Sequence, residues 1–226
     1  IEMKERILSL TQSEAQLERI VNELIECMVD LRIDDFESVL DFQIASKGIE
    51  KTIIEIIFPF MERVGILWVT NHINPAQEHL ATNVIRQKII LGIEKLPPVL
   101  HYTKRIVLFM PEGEYHEVGL LFVHFLLKQK GYGVDYLGAN VPMVDLKYLT
   151  EVKKVDLLYT HITSPIKGFK MPKFMDQLAH VNPNIPVVVS GQMAQEFKGN
   201  IPKHIHLKRN LQETMSRSEE RRVGKE

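Results

Sequence analysis

A carboxylate and an imidazole two residues apart, Glu114 and His116, are the strongest chemical signal in the chain. They lie in Pro111-Glu112-Gly113-Glu114-Tyr115-His116-Glu117-Val118-Gly119, an irregular run in which the Glu114 side chain can reach one ring nitrogen while the other faces outward. A carboxylate partner fixes the tautomer of a metal-binding histidine and raises its basicity. Gly119 would let a bulky planar ligand, or its tail, approach the backbone closely. Further polar groups stand just beyond predicted strands, Thr163 and Ser164 at one and Ser190-Gly191 at another. Earlier in the chain the only tryptophan, Trp68, is followed after nine residues by Glu78-His79. Each feature has a plain structural alternative: a histidine beside a helix start, a tryptophan in a core, a glutamate that suits a helix N-terminus. Zinc chemistry is not supported, because His72 and His79 are seven apart and match no helical i, i+4 pair. A serine hydrolase is equally unsupported, since Ser190-Gly191 lacks the Gly-x-Ser-x-Gly elbow.

The elements that must position these residues fall into two halves with different periods. From Thr11 to about Leu96 apolar residues recur at helical spacing. The first helix is predicted to open at a capping box, Thr11 to Glu14, with Leu17, Ile20, Val21, Leu24, Ile25 and Met28 on one stripe. A second runs from about 34 to 47 and stops at Gly48. A third covers about 49 to 69, with Ile53, Ile54, Ile57, Phe60, Met61, Val64 and Leu67 inward and a kink at Pro59. Asn74 and Pro75 supply the cap and first turn of a fourth, which reaches about Glu94. Four helices with short connections predict an antiparallel bundle.

Beyond Pro97-Pro98 short β-rich runs alternate with amphipathic stretches. Strands are predicted at 105–110, 133–137, 155–160 and 186–190, with a weaker one at 204–207. Helices are predicted at about 116–130, 144–153, 170–180 and 193–198. That alternation implies an α/β fold: a doubly wound, parallel five-stranded sheet of flavodoxin-like (Rossmann-type) form. Ligands of such sheets bind beyond the carboxyl ends of the strands, where strand order reverses. The loop after the first strand, which carries Glu114 and His116, is such a place.

Glu114-x-His116-x-x-Gly119 resembles the Asp-x-His-x-x-Gly signature of base-off, His-on cobalamin-binding domains, with Glu for Asp. The resemblance implies that His116 is the lower ligand of the cobalt of cobalamin, displacing the dimethylbenzimidazole base, whose nucleotide tail enters a slot beside the sheet. Tyr136-Leu137-Gly138-Ala139-Asn140-Val141-Pro142 is similar to that family's turn after the second strand. Thr163 and Ser164 offer hydroxyls where members of that family use Ser and Thr near the displaced base. Ser190-Gly191 stands where the family usually has Gly-Gly, a departure that narrows the tail slot by one side chain.

Trp68-x9-Glu78-His79 resembles the helical cap of MerR-type, B12-dependent photoreceptor repressors. The resemblance implies adenosylcobalamin between cap and α/β domain, with Trp68 over its upper face and Glu78 and His79 on the adenosyl group. Methylcobalamin is the other form considered. Val69 stands where the best-studied pattern has a second cobalt-binding histidine, so a bis-histidine state would need His72, one turn on. The expected function is a cobalamin sensor without catalytic turnover, open to light responsiveness. The alternative is a corrinoid shuttle or cobalamin module of a methyltransferase, where the cofactor carries the chemistry. An adenosyl group needs polar partners that a methyl does not, and Glu78-His79 therefore favours the sensor.

Lys and Arg number 28 against 29 Asp and Glu, a formal charge of -1, so no global positive field holds nucleic acid. DNA binding is expected from a winged helix in a region not present, preceding Ile1, with self-association as dimer or tetramer. Residues 1–10 are then a linker, 11–98 the cap, 99–215 the cobalamin-binding domain. Residues 216–226, with four positive and three negative charges, form a disordered or non-native tail. The single cysteine, Cys27, permits no intrachain disulfide and suits a reducing, cytoplasmic setting. No apolar run approaches the roughly 18 residues of a membrane span.

Overall fold

The computed structural model describes residues 2–163 and 168–208, with side chains from residue 12 onward. Ser164 therefore lies outside the described residues, as does the segment 216–226. The chain divides into two compact units, Ile1–Gly92 and Ile93–Glu226.

The first unit is helical: α1 (Glu2–Val29), α2 (Ile33–Lys47), α3 (Ile49–Thr52), a π turn (Ile53–Ile57), α4 (Phe58–Val69) and α5 (Pro75–Lys95). α3, the π turn and α4 follow one another without a break and act as one rod, so four rods form the bundle. Helix α1 does not open at Thr11 but is helical from Glu2. No Gly or Pro interrupts residues 2–10, so helix propagates through the Thr11 capping sequence instead of starting there. Gly48 ends α2 at φ 84°, its N–H on the Ile44 carbonyl at 2.9 Å. Pro59 disturbs its helix through the turn before it, where the Phe58 N–H reaches back five residues to Ile53. A proline offers no N–H and clashes with the carbonyl four residues earlier, and a π turn absorbs such a phase conflict. The wider turn also rotates the apolar stripe: Ile56 is buried and Ile54 lies outside, contrary to the regular-period expectation. Phe36 and Phe60 meet edge to face at 5.3 Å in the core, and Leu24, Met28, Leu40 and Ile85 of the same unit are fully buried.

The second unit alternates β1 (Arg105–Pro111), α6 (Val118–Gln129), β2 (Gly133–Val141), α7 (Met143–Val152), β3 (Leu157–His161), α8 (Met171–Ala179), β4 (Val187–Ser190), α9 (Gln192–Glu196) and β5 (Ile205–Leu207). All strands pair in parallel in the order β2-β1-β3-β4-β5. Strand order reverses between β1 and β3, the position at which α/β sheets of this order bind ligands. Val107, Phe109, Leu158, Val187 and Val189 cover one face with Phe174 and Leu178 of α8. Ile106, Leu108, Tyr159 and Val188 cover the other with Leu120, Val123 and Leu127 of α6. β2 extends four residues past its predicted end. Its register slips against β1 between Leu108 and Phe109 and again before Pro111. Gly138 and Asn140 have positive φ, so the segment expected as a turn is the bulged end of a strand.

Candidate functional site

His116 lies in the loop between β1 and α6, two residues before the helix that was expected to include it. Glu114 in the same loop is fully buried, and the His116 imidazole keeps 57% of its surface exposed. Glu114 Oε1 accepts three hydrogen bonds: from His116 Nδ1 at 2.6 Å, from the Tyr115 N–H at 2.9 Å and from the His116 N–H at 3.0 Å. Its Oε2 accepts the Thr163 N–H at 3.0 Å, tying the loop after β1 to the loop after β3 across the switch point. Burial alone would raise the Glu114 carboxyl, but the His116 ring and the backbone donors outweigh it and hold the group at about 2. The carboxylate is thus charged across the physiological range. With Nδ1 as donor to that charge, the neutral imidazole carries its lone pair on Nε2. The chemistry of this donor set would fit one imidazole bond to a metal already held by ligands of its own. Among the described residues no group of three or more His, Cys, Asp or Glu could hold a bare metal ion.

Asn140, absent from the predicted site, holds the loop from the other side. Its Oδ1 accepts the Gly113 N–H at 2.9 Å and its own N–H donates to the Glu114 carbonyl at 3.2 Å. The signal that could have found it is an Asn two residues before Pro142, since Asn tolerates the left-handed conformation it adopts at φ 57°.

Gly119 is required for a close approach, but the neighbour is part of the protein. A Cβ there would meet His161 Nε2 at 2.7 Å and Cδ2 at 3.0 Å. His161 Nδ1 is 2.9 Å from Ser190 Oγ, and that hydroxyl in turn lies 2.7 Å from the Tyr159 hydroxyl. Burial lowers the His161 imidazole to about 4 against the opposing pull of Glu114, so the ring is neutral. The open side of Gly191, at φ 94°, is filled by the Ile162 backbone. Gly119, His161 and Ser190 therefore form one packed cluster, and Glu114, His116 and Thr163 another.

In the helical unit Trp68, 42% exposed, precedes the end of α4 by one residue. The helix closes with a left-handed Asn71, whose N–H bonds the Trp68 carbonyl, while the His72 N–H bonds that of Leu67. That pairing is a Schellman closure, and it takes His72 off the helix into the turn. Asn74 Oδ1 caps the Ala76 N–H at 2.9 Å, and Gln77 Oε1 answers the Asn74 N–H at 2.6 Å. Glu78, on the first turn of α5, joins His79 Nδ1 at 2.8 Å and the Thr82 hydroxyl at 2.6 Å. Val69 is exposed and offers no ligating atom.

Comparison with known proteins gives two family matches, both described as B12 binding domain, over residues 14–91 and 104–202. The HTH-type transcriptional repressor CarA of Myxococcus xanthus is 27% identical over 73% of this chain and 52% of its own length. The HTH-type transcriptional repressor CarH of the same organism is 33% identical over 71% of this chain and 53% of its own. The chain spans about half the length of these curated relatives. The monomethylamine corrinoid protein of Methanosarcina barkeri shares the fold, with a TM-score of 0.68 at 16% identity over 90% of this chain and 98% of that one.

Proposed function

From the premise that this chain belongs to the B12-binding domain family and is related to the CarA and CarH repressors, we propose that it is the adenosylcobalamin-sensing part of a transcriptional repressor. The observation that carries the reading is the buried Glu114 carboxylate holding His116 by Nδ1, and the reading assigns Nε2 to cobalt. When bound, the cofactor supplies a cobalt–carbon bond that light can break. The protein's own part is to present one imidazole at fixed orientation from the switch point. Thr163 and Asn140 hold the loop that does so. Trp68, Glu78 and His79 would meet the upper face and adenosyl group, with Glu78 already oriented by Thr82. The protein is not an enzyme on this reading; binding shifts its self-association and so its hold on DNA through a further domain. Val69 leaves no second histidine at its position, and His72 stands in the turn after α4 with its N–H on the Leu67 carbonyl. Among the described residues no helix is long and apolar enough to cross a membrane, and the setting proposed is the cytoplasm.

The test is retention. Protein mixed in the dark with adenosylcobalamin should carry the corrin colour through gel filtration, and His116→Ala should lose most of it. Wild-type protein that emerges colourless overturns the reading.

A further inference from the structure

We propose that His161 is an internal plug of the site: a protein imidazole stands where a corrinoid's nucleotide tail would enter beside Gly119, and corrinoids are sorted by whether they must displace it. The inference rests on the corrinoid reading given above. A glycine at position 119 suggests room for a ligand, yet the space its missing side chain leaves is taken by the His161 ring, with Nε2, Cδ2 and Cε1 at 2.7, 3.0 and 3.3 Å from where a Cβ would be. The space beside Gly191 is likewise taken, by the backbone of Ile162. Neither glycine leaves a cradle open.

The ring is also anchored. Nδ1 pairs with Ser190 Oγ at 2.9 Å, and the same hydroxyl is held by the Tyr159 hydroxyl and by the Thr160 carbonyl at 3.2 Å. Ser190 is the residue that departs from the family's glycine pair, so the departure and the plug form one unit: the hydroxyl that narrows the slot also fixes the ring that fills it. A neutral, partly buried imidazole held by its Ser190 hydrogen bond can be turned out, at the cost of that bond and its packing. A corrinoid with the full dimethylbenzimidazole tail must meet this cost. Cobinamide, which lacks the nucleotide, need not.

The experiment titrates the full chain with cobalamin and with cobinamide carrying the same upper ligand, followed by corrin absorbance, for wild type, His161→Ala and His161→Ser. The serine variant keeps a polar partner for Ser190 should the alanine variant fold poorly. Both variants should bind cobalamin roughly three- to tenfold more tightly than wild type, with cobinamide unchanged. Unchanged cobalamin affinity overturns the plug, and weaker cobalamin binding overturns it too, because the ring would then be holding the tail. If wild type binds neither corrinoid, the corrinoid reading falls and the plug with it; if it binds both and His161 makes no difference, the plug alone falls. A cofactor-free readout checks the packing. Gly119→Ala should lower the melting temperature of wild type and cost much less in the His161→Ala background. Equal cost in both backgrounds would show that the ring is not what fills the space.

Discussion

The loop after β1 and the first turn of α5 each present a histidine beside a glutamate, and they do so in opposite ways. Glu114 is wholly buried and accepts four hydrogen bonds, three of them from backbone, so it is part of the framework of the sheet's switch point. The Glu78 carboxylate is bonded to its helix neighbours His79 and Thr82, and the His79 ring is 70% exposed. The first pair fixes a direction; the second offers a surface. A side chain that must coordinate at one angle needs the first arrangement, and side chains that contact a broad ligand face need only the second.

The contrast breaks most readily at Glu114. Glu114→Ala removes the buried acceptor of four part-buried donors and should destabilise the α/β unit by about 3–5 kcal/mol in urea unfolding. A loss below about 1 kcal/mol would place the carboxylate outside the framework. Acid should reveal the same group. Its folded value of about 2 lies below the ordinary 4.5, so its contribution is complete above pH 4.5 and disappears as pH falls toward 2. That gap corresponds to about 3 kcal/mol, and Glu114→Gln should flatten the acid limb of the stability curve. Asn140→Ala should cost about 1 kcal/mol through its lost bond to the Gly113 N–H, with His116 ligation weakened and not abolished. Smallest of all, Trp68→Ala and Glu78→Ala should each change stability by no more than about 1 kcal/mol, since Trp68 is half-exposed and Glu78, though mostly buried, loses bonds within its own helix. They should nonetheless reduce the preference for adenosyl- over methylcobalamin. Equal affinity of wild type for the two forms would dissolve the distinction between the regions.

The two regions also differ in how far the sequence discloses them. Caps are local, and Asn74-Pro75 was legible because an N-cap and a first-turn proline act within three residues. The strand–helix alternation was legible for the same reason, as period and length are local properties. Features set by distant partners were not. The end of β2 reads as a turn because Gly138 and Asn140 favour positive φ, but pairing with β1 keeps them in the sheet. The π turn before Pro59 follows from the proline, yet its choice over a simple kink depends on burying Ile53, Ile56 and Ile57 together. The Glu114–His116 contact could be expected from a two-residue spacing; the Thr163 bond that completes it comes from 49 residues away. Gly119 announces a close approach without saying to what, and nothing local points to His161.

The most direct measurement is electron paramagnetic resonance of the protein loaded with cob(II)alamin, with and without 15N-labelled histidine. Coordination by His116 predicts superhyperfine splitting from one axial nitrogen that changes from triplets to doublets on labelling and is lost in His116→Ala. Splitting that ignores the label would mean the cofactor keeps its own base on cobalt, and would contradict His116 ligation.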